Sequence, residues 1–222
     1  MSLVALVVGP ERADVATSSR ETLAGLAGPL SPGDPQQIRT GPGGRPDNCR
    51  TDDRGTSRPT AAPTDVQWRE LVGVMTPTSA SAGPLHTDAT MWWCFAHTPT
   101  GAVLAAHVIP VQLSGASWRI VAEQQIVPGE SRDAFVTART AAKETNPRDD
   151  TVGRFTGFSV ESYSDDSATI RLLVTNPVAG HLSTTVAVRW RDGDWKVALQ
   201  DDGSLYSSVK QASPSDFIMW GA

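Results

Sequence analysis

Residues 186–199 read VAVRWRDGDWKVAL and predict a β-hairpin that turns at Asp192-Gly193. Asp-Gly is a strong signal for a two-residue hairpin loop, because both residues tolerate positive φ. The expected cross-strand pairs are Arg191–Asp194, Trp190–Trp195, Arg189–Lys196, Val188–Val197 and Val186–Leu199. This register places the large apolar groups on one face. On the other face Arg189 lies opposite Lys196. Two like charges this close are tolerated only where water screens them, so the pattern predicts one buried and one solvated face.

The hairpin is the last part of a longer antiparallel run between Phe155 and Leu199. Alternating apolar positions predict two further strands that a short polar turn joins, and a third that leads into the hairpin. The predicted strands are Phe158–Tyr163, Ala168–Thr175 and Leu182–Trp190. An earlier strand is expected from Val66 to Thr76, where Pro77 follows.

Three helices are expected before the meander. The first starts with Thr98 as its N-cap and Pro99 at its first position, and Pro110 should kink or end it. The other two are predicted at Trp118–Val127 and Ser131–Thr145, the latter with Ala134, Phe135, Ala138 and Ala141 turned inward. Helices packed on one side of a curved antiparallel sheet make an α+β fold.

Composition divides the 222-residue chain into two parts. Residues 1–63 are rich in proline, glycine and polar residues, which is typical of a linker or of a coil wrapped over a domain. Residues 64–222 are expected to form the folded domain, with Phe217–Trp220 docking back onto it. The apolar run Leu3–Val8 is too short to span a bilayer, so it is either the tail of a removed membrane anchor or an apolar terminus.

A net charge of −5 without a basic stripe argues against direct binding of nucleic acid. Cys49 and Cys94 lack the paired spacing of a zinc site. A disulfide between them would close a loop of about 46 residues, worth about 3–4 kcal/mol, and would indicate an oxidising compartment. The alternative is two unrelated buried thiols.

Candidate catalytic or metal-binding residues occur only singly, and no cofactor motif is present. His97 and His107 are too far apart on one predicted helix to bind the same metal ion, and His86 has only Asp88 nearby. Tyr163 lies at a predicted hairpin end, and Glu123 stands with Gln124 and Gln125 on a helix face expected to be solvated.

Tryptophan offers the only candidate interaction residues: Trp92, Trp93 and Trp220. Exposed aromatic side chains mark partner surfaces. The alternative is that Trp92 or Trp93 covers the open end of the sheet.

Helices followed by an antiparallel meander over Ser114–Leu199 resemble the NTF2-like fold, a cone in which a sheet wraps a helix. Six segments also resemble an uncharacterised actinobacterial family of integrative conjugative elements, whose members usually have one N-terminal membrane helix. The segments are Cys94–Ala102, Trp118-Arg119, Glu123–Gln125, Phe155–Phe158, Val188–Lys196 and Trp220–Ala222. That family is in turn similar to NTF2-like scaffolding subunits of conjugation and type IV secretion machines.

This resemblance implies a non-enzymatic, extracytoplasmic scaffolding protein that contacts other proteins of a conjugation channel, or copies of itself. It implies no catalytic residues and a membrane anchor at the N-terminus. The alternative is an enzyme or small-ligand binder that uses the interior of the cone, which requires an apolar pocket with converging polar groups. A weaker alternative is a secreted binding module unrelated to DNA transfer.

Overall fold

The computed structural model describes residue 45 and residues 48–89, 91–142 and 153–221. In these residues the helices are α1 (Pro99–Gln112), α2 (Trp118–Gln125) and α3 (Glu130–Ala141). The strands are β1 (Val66–Leu71), β2 (Val74–Ser79), β3 (His86–Thr87), β4 (Trp92–Trp93), β5 (Arg154–Ser164), β6 (Ser167–Asn176), β7 (Gly180–Arg191), β8 (Asp194–Ala198), β9 (Lys210–Gln211) and β10 (Ile218–Met219).

The main sheet is antiparallel and has the strand order β10-β5-β6-β7-β8, with β9 also paired to β7. Two small hairpins, β1–β2 and β3–β4, precede the helices. The predicted α+β class is confirmed. Among the described residues, no helix is both long and apolar enough to span a membrane.

The Asp192-Gly193 hairpin forms in the predicted register from Arg191–Asp194 to Val188–Val197, with φ of 52° at Asp192 and 79° at Gly193. The pair Val186–Leu199 does not form, because β8 ends at Ala198. The prediction of a solvated second face is wrong at Lys196, which is only 3% exposed. Its Nζ lies 2.5 Å from Asp192 Oδ2, and this ion pair replaces screening by water opposite Arg189.

Helix α1 begins as predicted, since the Thr98 side chain accepts a hydrogen bond from Gly101 N and Pro99 follows the cap. Pro110 does not end the helix, which continues to Gln112. Because proline has no N–H, only the bond to the Ala106 carbonyl is lost, within the last turn of the helix. Every residue of α1 except Thr100 is buried, so the helix runs through the core rather than presenting one apolar stripe.

Two other predictions need correction. The strand expected from Val66 to Thr76 is instead the β1–β2 hairpin, which turns at Val72-Gly73. Helix α3 buries only Phe135, while Ala134, Ala138 and Ala141 are exposed. Small alanines spaced along a helix do not distinguish a buried face from a solvated one.

The core lies between α1 and the sheet. Its largest fully buried side chains include Trp195, Phe95, Phe158, Leu104 and Ile109. At the C-terminus, β10 pairs with β5, and Trp220 N donates to Thr156 O at 3.1 Å. The tail therefore docks onto the domain as predicted.

Candidate functional site

The inner face of the main sheet is occupied by α1, which contacts β5, β6, β7 and β8. Leu104, Ala105 and Val108 of this helix are fully buried, as are Ile170 and Val186 on the strands it packs against. An enzyme of this architecture would need its acid–base groups to face a space in this layer.

His107 lies on α1 and is fully buried. Its Nδ1 is 2.8 Å from the carbonyl of Val103, and its Nε2 accepts a hydrogen bond from Trp220 Nε1 at 3.2 Å. This pattern fits the neutral tautomer that carries its proton on Nδ1. Burial lowers the pKa of His107 to about 4, so the ring stays neutral at pH 7. Both nitrogens bind protein groups, which makes His107 a link between α1 and the C-terminal tail.

Asp194 follows the hairpin turn and is also buried. Its carboxylate accepts three backbone hydrogen bonds, from Cys94 N at 2.7 Å, Phe95 N at 2.9 Å and Trp195 N at 2.9 Å. Burial raises the pKa of Asp194 to about 6, although these N–H donors and the charge of Arg45 oppose the rise. The carboxylate therefore holds the segment before α1 against β8.

A disulfide joins Cys49 to Cys94, the residue that Asp194 binds, with an S–S distance of 2.07 Å. Nearby, Arg45 is buried over the Trp190 ring, 4.8 Å from its centroid. Its guanidinium donates to the carbonyls of Gly193, at 3.1 Å, and Phe95, and pairs with Asp53 at 3.2 Å. We call Arg45 and residues 48–53 the N-terminal clamp. The sequence left two alternatives for the first 63 residues, a linker or a coil wrapped over the domain, and a wrapped coil describes the N-terminal clamp. Residues 1–44 lie outside the described residues.

His97 lies just before α1 and not on it, contrary to the prediction. Its ring stacks on Trp190 with centroids 3.9 Å apart, its backbone N donates to Asp53 at 2.8 Å, and its Nε2 contacts the carbonyl of Asp165. Since Nε2 already has a backbone partner, His97 connects the clamp to two hairpin ends.

Tyr163 packs at the edge of this cluster, with its ring 6.0 Å from that of Trp195. Burial raises its pKa, and the charges of Asp165 and Asp53 act in the same direction. The phenol therefore remains protonated at neutral pH and is not poised as a base. Glu123 is exposed on α2, as the sequence suggested.

The three candidate interaction tryptophans are all buried, with Trp92 7%, Trp93 4% and Trp220 3% exposed. Trp220 contacts Phe158, and its ring centroid lies 6.2 Å from that of Trp68. Trp93 stacks on His86 with centroids 4.3 Å apart. Trp92 has the Arg69 guanidinium over its ring, 5.2 Å from the centroid. Because all three rings are buried against protein groups, the structure assigns them to packing rather than to an exposed partner surface.

The polar face predicted to be solvated on α2 is buried at Gln124 and Gln125. Gln125 Nε2 donates to Trp92 O at 2.8 Å, and Gln112 donates to Gln125 Oε1 at 2.9 Å. Gln112 also binds both backbone groups of Trp92, as acceptor at 2.5 Å and donor at 3.0 Å. The two glutamines therefore pair the backbone of β4, and the sequence could not show this because Trp92 is 20 and 33 residues away.

His86 and Asp88 do not form a metal site. His86 Nε2 contacts Asn48 O at 3.1 Å, while Asp88 accepts from Met91 N at 2.9 Å. Within the described ranges, no group of three or more His, Cys, Asp and Glu side chains could hold a metal ion.

An open cleft of about 280 Å³ lies outside the α1–sheet core, between the β1–β2 turn and the α1–α2 junction. Leu71, Val72, Met91 and Trp92 contribute apolar surface to it. Glu70 and Asp88, both exposed, add two acidic groups. Sequence reasoning missed this cleft because its walls come from three separate parts of the chain.

Val178 is the most exposed large hydrophobic residue of the described chain, at 84%. It lies at the β6–β7 turn, whereas the clamp binds Gly193 at the opposite end of β7. Twelve residues of strand at about 3.3 Å each separate the two ends by about 40 Å. The domain thus has a clamped pole and a pole with an apolar tip.

Comparison with known families gives one match. The chain matches the family described as Domain of unknown function (DUF8175) over residues 31–217. No curated protein and no solved structure matches the chain.

Proposed function

The chain belongs to the DUF8175 family, and we propose that its domain is a non-enzymatic scaffold that acts through protein contacts. The observation that supports this most is the position of α1. A helix buried along almost its whole length fills the layer where an NTF2-like enzyme would need a pocket. The domain then offers its outer surfaces, rather than its interior, for binding.

The partners of the buried titratable groups point the same way. His107 and Asp194 have the shifted pKa values that often mark active sites. However, both ring nitrogens of His107 and both carboxylate oxygens of Asp194 bind protein groups. A structural role explains their burial, since each holds a separate chain segment in place.

We further propose an extracytoplasmic location, with residues 1–44 spacing the domain from a membrane anchor. The Cys49–Cys94 disulfide supports an oxidising compartment. The finer fold proposal is an NTF2-like cone, with α1 as the helix that the bent sheet wraps. The finer functional proposal, based on the sequence resemblance, is assembly of a conjugation or type IV secretion channel.

The location is tested on protein isolated from its own host without reductant. Unfolding in the presence of a thiol reagent should reveal no free thiol, whereas the reduced sample should reveal two. Two free thiols in the unreduced sample would contradict the oxidising compartment while leaving the scaffold proposal standing.

The function is tested by deleting the gene in a host that carries the conjugative element. Transfer frequency should fall at least 100-fold and return with the wild-type gene. Tyr163→Phe and Glu123→Gln, which remove the two acid–base candidates, should restore transfer equally well. Loss of transfer in either variant with the protein folded would favour the enzyme alternative, and unchanged transfer after deletion would reject the role in conjugation.

A further inference from the structure

The β6–β7 turn presents a small apolar tip made of Pro177, Val178 and Ala179, all exposed. The tip is held by its neighbours, because Asn176 Oδ1 accepts hydrogen bonds from Val178 N and Ala179 N, both at 2.9 Å. Gln211 of β9 donates to Ala179 O at 3.2 Å. A turn fixed in this way loses little conformational entropy when it docks.

The cleft beside the β1–β2 turn has complementary properties. Its volume is about 280 Å³, and Leu71, Met91 and Trp92 form part of its lining. A small aliphatic group that covered this apolar surface would remove it from water and gain hydrophobic free energy.

Val72, on the wall of this cleft, has a backbone conformation that disfavours valine. Its φ is 51°, in the left-handed region, where a β-branched residue is a genuine outlier. Asn or Asp would fit this turn position better. The valine side chain instead packs over Gly115, where an added Cβ would come within 2.9 Å of it, and gives the cleft an apolar wall. Strain of this kind is found where a side chain serves a function.

Charge around the two features is also complementary. In the described part of the chain, Arg154 and His181 flank the tip as cross-strand neighbours of Thr175, and Lys210 pairs nearby at Ser183. The cleft is lined by Glu70 and Asp88. Arg69, which lies over the Trp92 ring at 5.2 Å, is the one cation beside these two acids among the described contacts, so the charge around the cleft is net negative. Opposite charges around an apolar contact favour one relative orientation.

We propose that the Val178 tip of one copy docks in the cleft beside the β1–β2 turn of a second copy, against Leu71 and Trp92. This inference deepens the scaffold function proposed above and rests on it. The two surfaces differ, so the contact is heterologous. When two copies bind, one keeps a free tip and the other a free cleft, so further copies add head to tail into rings or filaments. A three-residue tip buries less area than a standard interface, which makes a single contact weak and the assembly dependent on concentration.

An anionic membrane is the other surface that an apolar tip with basic neighbours could meet. The tip contains no Trp, Tyr, Phe or Leu, the side chains that anchor proteins in the membrane interface. A matching cleft on the same chain therefore favours a second copy.

The experiment is sedimentation velocity of the full chain from 10 to 500 µM, with one variant for each half of the contact. Val178→Asp charges the tip, and Val72→Asp charges the cleft with a residue that suits the turn. Val209→Asp, at another exposed valine, is the matched control. Wild type and control should show a weight-average sedimentation coefficient that rises with concentration, while both test variants should remain monomeric.

Mixing the two test variants tests whether the tip of one copy binds the cleft of another. Each retains the half that the other lacks, so an equimolar mixture should form dimers and nothing larger. Monomeric wild type at every concentration, association that survives Val178→Asp, or a mixture that stays monomeric would each overturn the proposal. Binding of wild type, but not Val178→Asp, to vesicles of phosphatidylglycerol without self-association would assign the tip to a membrane instead. None of these outcomes bears on the transfer assay, so the scaffold proposal is judged separately.

Discussion

Burial shifts the pKa values of two residues of the core, His107 and Asp194, in opposite directions. For His107 the folded value of about 4 lies below the unfolded value of 6.5. Between these values the unfolded chain binds more protons, so acidification from pH 6.5 to 4 removes stability. The shift corresponds to about 3 kcal/mol.

We expect His107→Gln to remove this loss. Glutamine does not titrate and still offers an acceptor to Trp220 Nε1. The free energy of unfolding, measured with urea at steps between pH 4 and 7, should fall less on acidification than in wild type. Equal profiles for wild type and His107→Gln would show that the buried imidazole is not the titrating group.

The pKa shift of Asp194 has the opposite sign, because its folded pKa of about 6 lies above the unfolded value of 3.8. The folded state binds the extra proton between these values, so this group adds stability as the pH falls from 6 to 4 and loses it as the pH rises. In wild type, the effects of His107 and Asp194 on the pH dependence of stability offset each other. We expect Asp194→Asn to lose stability more steeply than wild type below pH 6.

At pH 7, Asp194→Asn should also lower the free energy of unfolding, by about 1 kcal/mol: an amide NH₂ would face backbone donors that need an acceptor, and this cost exceeds what is gained by removing the buried charge. Urea unfolding measures both effects, with Asp201→Asn on the surface as the control. A variant as stable as wild type at pH 7 would mean that the three N–H bonds do not depend on the charge of the carboxylate.

Sequence reasoning identified the turn at Asp192-Gly193 and the Trp190–Trp195 pair because those signals are local. It did not identify Asp194, Arg45 or Gln112 as residues of the core. Asp194 binds backbone groups 99 and 100 residues away, and Arg45 binds a carbonyl 148 residues away. Polar residues look solvated in sequence whenever their partners lie on distant segments, and this also explains the error at Gln124 and Gln125.

At the scale of elements, the β1–β2 hairpin offers a test of backbone strain. Both central residues of its turn have positive φ, 51° at Val72 and 74° at Gly73, as in a type I′ turn. We expect Val72→Asn to raise the free energy of unfolding by about 0.5–1 kcal/mol, because asparagine tolerates this region. Equilibrium unfolding in urea measures the change.

Gly73→Ala is the matched variant in the same turn. An added Cβ meets nothing within 4 Å, so only the positive φ opposes alanine, and about 1 kcal/mol should be lost. A destabilised Val72→Asn variant would mean that valine's packing over Gly115 outweighs its strain.

Helix α1 shows how far a pattern can predict an element. Its start was readable from Thr98-Pro99, and its end was not, because Pro110 removes only one N–H donor and the helix continues past it to Gln112. Its burial everywhere except Thr100 depends on the strands packed against it and has no signature in spacing alone. The same limit applies to the cleft and the apolar tip, which are properties of the assembled elements.

For the whole molecule, the N-terminal clamp determines how the folded domain is connected to residues 1–44. Arg45 and Cys49 attach the chain at one pole, close to Gly193 and Cys94. The exposed Val178 lies at the other pole, about 40 Å away along β7. If the preceding segment connects to a membrane, this arrangement presents the tip away from it.

Removal of the disulfide should loosen the clamped pole first. The Cys49→Ala/Cys94→Ala variant should lose about 4 kcal/mol of unfolding free energy, the chain-entropy value for a loop of this length, because the unfolded chain gains freedom. The clamp loses its covalent attachment, so trypsin should cut at Arg50 and Arg54, both exposed, faster than in the oxidised protein. Amide exchange followed by mass spectrometry should show protection lost in residues 48–63 before β6 and β7. Reduction of the wild-type protein should reproduce the variant. If protection fell equally across the sheet, the disulfide would be a support of the whole core and not of the clamp.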